Sequence, residues 1–173
     1  MTALDLNFAL PAHVNDLAAR VKTFVQEQVV PYEKDPRWTS HGPTDELRRE
    51  LNALAARAGV LAPHAPVDFG GAGLSHIGRA AVFTAAGYSM LGPIALHCAA
   101  PDEGNIHMLD VIANPEQRQR YLKPLATGVV RSCFCMTEPA PGAGSDPGQM
   151  QTTARRDGNE WVIDGDKWLI TGA

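Results

Sequence analysis

The chain has 173 residues, 45% of them apolar and 20% charged, with a formal net charge of −4. That length and apolar content suffice for one medium domain, or for one helical domain and the start of another. The charge argues against a bulk attraction to nucleic acid or to an anionic membrane surface, and no apolar run nears the roughly 20 residues that cross a bilayer.

The start, MTALDLNFALPAHVNDL, lacks the basic-then-apolar pattern of a signal peptide, so a cytoplasmic location is expected. Val14, Leu17, Ala18, Val21, Phe24 and Val25 recur at the three-and-four spacing of one helix face, and Pro31 is expected to end that helix. A second helix follows Pro43, with Asp45 and Glu46 in its first turn, a stripe of Leu47, Leu51, Leu54, Ala55 and Ala58, and Gly59 as a left-handed cap. The stretch APHAPVDFGGAGLS, residues 62–75, is dense in proline and glycine and reads as a connector. From Ile77 to Met90 small and apolar residues predict a helix enclosed on most sides, stopped by Gly92-Pro93. Asn105 to Ile112 predicts another, and Asn114-Pro115-Glu116-Gln117 carries a capping box for a last helix running to Ala126 and ending at Gly128. Near residue 129 the apolar period changes to two. Strands are expected over Val130 to Met136, Met150 to Arg155, Glu160 to Ile163 and Trp168 to Thr171.

Several patterns invite chemistry and fail on spacing. Gly70, Gly71 and Gly73 have neither the third glycine of a dinucleotide fingerprint nor the lysine of a P-loop. His97, Asp102, Glu103 and His107 include no pair at a recognised metal-ligand spacing. Ser145, in Gly142-Ala143-Gly144-Ser145-Asp146, lacks the glycine two residues earlier that a nucleophile elbow needs, but a serine in such a turn suits a phosphate. Cys98, Cys133 and Cys135 read as reduced thiols; the last two share a strand face and are expected to be small buried side chains without redox work.

The segment CFCMTEPAPGAGS followed by TTARRDGNEWVIDGDKWLITGA resembles the signature of the acyl-CoA dehydrogenases: T-E-P, a Gly-Ala-Gly-Ser-Asp turn, then D-G-x-K and an aromatic-Ile-Thr strand. PVDFGGAGLS and NPEQRQRYLKPLATG are similar to stretches of that family's helical domain, which extends the resemblance over nearly the whole chain. It implies an α+β fold: an amino-terminal helical bundle over residues 1–128, then the first strands of an incomplete middle β-barrel over residues 129–173, truncated before the carboxyl-terminal helical domain.

The resemblance also implies an FAD cofactor and roles for individual residues. Phe134, Cys135, Met136 and Thr137 would run along the flavin, with backbone groups near Met136 and the Thr137 hydroxyl bonding its pyrimidine end. Gly144 and Ser145 would serve the cofactor pyrophosphate or the acyl-CoA substrate, and Leu169, Ile170 and Thr171 would pack near the reactive nitrogen. Hydrogen bonds to the ring would stabilise the negative charge it gains on reduction.

No catalytic residue is assigned, because the family's glutamate base falls beyond Ala173. The implied partners are an acyl-CoA thioester, an electron-transfer flavoprotein as acceptor, and a homo-oligomer or a missing carboxyl-terminal domain. APDEGNIHMLD with SCFCMTEP looks closest to a branch for longer or modified acyl chains. Two departures stand out. TEPAPGAGSD is two residues longer than the usual turn, which places an insertion between Pro139 and Gly142, and Leu169 falls where relatives have tryptophan, with Trp168 expected on the opposite face as a core residue. The reading from a different class is a non-catalytic acyl-CoA or flavin-binding module, or an assembly partner of a second subunit.

Overall fold

The computed structural model describes residues 9–142 and 144–173, and the chain divides into two compact units, Met1–Val130 and Arg131–Ala173. The architecture is α+β as expected: a helical unit followed by a few short strands, with no closed barrel among the described residues. Among the described residues no helix is long and apolar enough to cross a membrane.

In the first unit, α1 (Ala12–Phe24) buries Val14, Leu17, Val21 and Phe24 on one face. Its path does not stop at Pro31. It widens into a π-turn, Val25–Val29, and then tightens into a 3-10 turn, Val30–Lys34. A proline ring collides with the carbonyl four residues earlier in a regular helix; the wider turn, in which Val30 N–H reaches back to Val25 O, makes room for it. The same device recurs before Pro124, where a π-turn, Arg118–Leu122, has Lys123 N–H on Arg118 O.

A short antiparallel hairpin, β1 (Trp38–Thr39) with β2 (Gly42–Pro43), leads to α2 (Asp45–Arg57), whose Thr44 hydroxyl caps Leu47 N–H at 3.3 Å. Gly59 follows with φ +66°, the left-handed turn expected of it. The stretch after it is indeed a connector, turning at Val67–Phe69 before Ser75 caps α3 (His76–Ala86).

Two expectations about α3 are corrected. It buries only Gly78, Val82 and Ala86, leaving Ile77 exposed, so it is a one-faced helix whose small residues allow close approach to α1. It also ends at Ala86 instead of reaching Gly92-Pro93. Those residues start α4 (Gly92–Ala95), where a Cβ on Gly92 would collide with the Ala86 carbonyl. Next come α5 (Asp102–Ile112), α6 (Pro115–Gln117) with the complete Asn114–Gln117 capping box, and α7 (Lys123–Ala126), beyond which Gly128 turns at φ +71°.

The main core gathers Leu17, Val21 and Val25, Leu47 and Leu51, Val82, and Leu91 with Leu96. A smaller cluster joins Ala62 and Ala65 to Ile106, Leu122 and Leu125. Polar groups inside these layers have structural duties. Asn52, 5% exposed, donates to the carbonyls of Ile94 and Ala95 at 2.8 and 3.0 Å, and its side-chain oxygen accepts from Arg48 at 2.9 Å. Arg48 in turn pairs with Asp45 at 2.7 Å. His64 lies edge-on to Phe83, and burial, with the nearby positive charge of Arg79, pushes its pKa down to about 4, so the ring is neutral.

Asn52 therefore ties α2 to the end of α4, adding a donor to the Ile94 carbonyl, which also accepts His97 N–H, and supplying one to the Ala95 carbonyl. Asn52→Ala is expected to cost about 3 kcal/mol, the penalty for several buried groups losing their partners at once. A urea titration measures it, and an unchanged midpoint would show that water replaces the amide.

Candidate functional site

The second unit has few ladder bonds. Its one strand ladder among the described residues is the hairpin of β3 (Thr153–Asp157) and β4 (Glu160–Asp164), paired antiparallel with Arg155 opposite Val162 and turned at Gly158 with φ +60°. The strands expected over 130–136 and 168–171 are not strands: neither stretch finds a ladder partner among the described residues. Met136 N–H instead turns back onto Phe134 O at 3.0 Å, and Leu169 has φ +52°, which breaks the alternation of faces along 168–171. Trp168 is therefore half exposed, not a core residue, and Leu169 is 83% exposed.

These loops are held by a side chain. The Glu138 side chain, 4% exposed, accepts the N–H of Gln151 at 2.6 Å, the N–H of Thr152 at 2.8 Å, the Thr152 hydroxyl, and the ammonium of Lys167 at 2.9 Å. Lys167 also donates to the Met136 carbonyl at 3.0 Å, and Trp168 N–H reaches Thr137 O at 3.3 Å. Residues 136–138 and 167–168 thus lie side by side, although 29 positions separate Glu138 from Lys167. The Thr152 hydroxyl, the Gln151 N–H and the Lys167 ammonium hold the Glu138 carboxyl at about 2 instead of the ordinary 4.5.

The glycine-rich turn closes on the same residue. Glu138 N–H donates to Gly144 O at 3.1 Å, and within that loop Gly142 N–H donates to Pro139 O at 2.8 Å. The two extra residues of TEPAPGAGSD thus sit in a tight turn over 139–142, between two points that remain opposite each other. Gly142 has no room for a side chain, since a Cβ would lie 2.6 Å from both Cβ and Oε2 of Glu138. Asp146 caps the next turn by accepting Gly148 N–H at 2.9 Å, leaving Ser145 on the surface with its hydroxyl unengaged among the described residues.

The residues named from the sequence are placed as follows. Met136 and Thr137 are half-buried beside Lys167 and Trp168, Ile170 is half-buried, and Phe134, Cys135 and Thr171 are exposed. The N–H and hydroxyl of Thr137 have no partner among the described residues. Cys135 is exposed and Cys133 half-buried, which corrects the expectation of two buried thiols: residues 130–136 form no ladder among the described residues, so strand alternation does not set both side chains on one buried face. His97 and Asp102 belong to the first unit, where the imidazole bonds the Leu125 carbonyl at 2.8 Å. Among the described residues no group of three or more ligand-type side chains could hold a metal. Sequence reasoning missed Glu138 and Lys167. The available signal was an acid and a base inside the two motif segments, each flanking residues already singled out.

Because the folded-state pKa of Glu138 is depressed, its contribution is fully present above the ordinary 4.5 and lost as pH falls through about 2. The fluorescence of Trp161 and Trp168 should report loosening of this unit in that window, and Glu138→Gln should abolish the pH dependence. A variant that titrates like the original protein would remove Glu138 from the account.

The comparisons with known proteins follow the same division. A family model described as acyl-CoA dehydrogenase, N-terminal domain, matches residues 12–129, and one described as acyl-CoA dehydrogenase, middle domain, matches residues 133–173. A probable acyl-CoA dehydrogenase of Mycobacterium tuberculosis, FadE2, is 36% identical over 97% of this chain and 42% of its own length. A putative acyl-CoA dehydrogenase from Mycobacterium abscessus has a solved structure that matches with TM-score 0.81 and 36% identity, covering 95% of this chain and 43% of that one. A glutaryl-CoA dehydrogenase from Mycobacterium smegmatis, solved in complex with FADH2, matches with TM-score 0.70 and 28% identity over 93% of this chain and 39% of its own. The chain spans less than half the length of these relatives. With both family models matched in order and the fold shared, the chain belongs to the acyl-CoA dehydrogenase family.

Proposed function

We propose that this chain contributes the flavin-facing and phosphate-facing part of an FAD-dependent acyl-CoA dehydrogenase that oxidises acyl-CoA thioesters between the alpha and beta carbons. The observation that carries the reading is the convergence at Glu138 and Lys167. One residue, Glu138, gathers the T-E-P segment, the glycine-rich turn through its backbone and the D-G-x-K segment through its carboxylate, segments that the family resemblance links to the cofactor. The FADH2 bound to the glutaryl-CoA dehydrogenase supports FAD as the cofactor.

The residues present fit a flavin. Thr137 offers an unengaged N–H and hydroxyl, the donors that the acceptor atoms of a pyrimidine-type edge require, and Phe134 and Leu169 offer exposed apolar surface for an aromatic ring. Cys135, Met136, Ile170 and Thr171 complete that set, and Gly144 with Ser145 presents a backbone turn and a hydroxyl suited to a phosphate. When bound, FAD supplies the two-electron acceptor for hydride from the beta carbon. The chain's own part is to orient and to polarise: Thr137 aims its donors, Lys167 fixes the Met136 carbonyl, and Glu138 keeps both segments in register. The base that removes the alpha proton is assigned to a glutamate outside these residues. An electron-transfer flavoprotein as acceptor, an oligomeric enzyme or completion by a further helical domain, and a cytoplasmic location belong to the same reading.

Thr137→Val keeps the shape and removes the hydroxyl. FAD affinity, measured by quenching of flavin fluorescence on titration, should fall about tenfold, the value of one hydrogen bond to a polar ring. Unchanged affinity would sink the role of Thr137, and no FAD binding by the original protein would sink the reading as a whole.

A further inference from the structure

Cys133 and Cys135 lie with their sulfurs 3.5 Å apart, in hydrogen-bond contact, about 1.5 Å more than a disulfide bond. Even on an extended strand, two residues separated by one position lie only roughly 6.6 Å apart between Cα atoms, inside the upper limit of about 6.8 Å that a disulfide tolerates, so the backbone spacing does not prevent closure. The pair is reachable. Cys135 is exposed and Cys133 is half-buried. Both conditions for a reactive dithiol, proximity and access, are met by geometry alone.

We infer that Cys133 and Cys135 form a dithiol modification site that closes to an intrachain disulfide when a peroxide oxidises it. Cys135 is the exposed member of the pair and the one that peroxide reaches first, so its sulfur is the one that attacks. Its sulfur takes one peroxide oxygen; the O–O bond breaks, leaving a sulfenic acid on Cys135 and hydroxide, which becomes water. The sulfur of Cys133 then displaces hydroxide from Cys135, and its proton leaves with that hydroxide as a second water. Two thiols and one hydrogen peroxide give one disulfide and two waters. Closing a ring over a single intervening residue leaves a strained, exposed bond, which small thiols should reduce again readily. The third thiol, Cys98, cannot take part in the same way: it is 7% exposed and burial pushes its pKa up to about 12.

The test needs no flavin, so its failure is distinct from failure of the proposed activity. The purified protein is treated with hydrogen peroxide, alkylated, digested with trypsin, and the peptide Ser132–Arg155 is weighed. The expected result is a peptide lighter by two hydrogens that recovers two alkylatable thiols after dithiothreitol. Cys98→Ser should behave the same, whereas Cys133→Ser should stop at a sulfenic acid on Cys135 that dimedone traps. Closure in the folded protein should be on the order of tenfold faster than in urea, since the fold brings the sulfurs together in advance. Two alkylatable thiols after peroxide, sulfinic acid without disulfide, or equal rates in urea would each overturn the inference.

Discussion

A carboxylate buried in protein is costly unless every lone pair has a donor, and Glu138 meets that demand with the N–H groups of Gln151 and Thr152, the Thr152 hydroxyl and the Lys167 ammonium. The arrangement matters because the second unit has little else. Outside one hairpin its segments lack ladder partners among the described residues, so their relative positions depend on side-chain bonds. Glu138 fixes the approach to β3, Lys167 fixes the Met136 carbonyl, and the Glu138 backbone closes the glycine-rich turn at Gly144. Each residue proposed to face the flavin or a phosphate sits within a few positions of one of these anchors.

The helical unit uses the same principle at its own weak points. Helix ends leave carbonyls short of donors, and buried side chains add to what the closing turns supply. Asn52 serves the carbonyls of Ile94 and Ala95, His97 serves that of Leu125, and the π-turns before Pro31 and Pro124 absorb prolines without ending the helical path. Apolar burial gives this unit its stability, and the polar insertions give it one arrangement rather than several.

Local rules were legible in the sequence where the decisive partner is close along the chain. The capping box of Asn114 and Gln117, the first-turn acids of α2 and the left-handed Gly59 all depend on residues within four positions, and each stands as read. Period and punctuation failed where tertiary context decides. Pro31 reads as a stop, but a π-turn accommodates it; Ile77 to Met90 reads as an enclosed helix, but only one face is covered. Trp168 reads as core from strand alternation, and the left-handed Leu169 removes that alternation. The family and its two domains were recoverable because the motif from T-E-P to D-G-x-K is long and ordered. Glu138 and Lys167 went unread as a pair because nothing local marks two charges 29 positions apart as mutual partners.

The most direct test of this account is FAD retention by Glu138→Gln at neutral pH, followed in the visible spectrum alongside far-UV helicity. The substitution keeps the side chain's size but removes its charge and turns an amide donor toward groups that already donate. The account predicts that helicity survives while the bound-flavin spectrum is lost, because the segments carrying Thr137 and Leu169 no longer hold their register. Flavin retained as tightly as in the original protein would contradict it, and would show that those segments are positioned without the buried carboxylate.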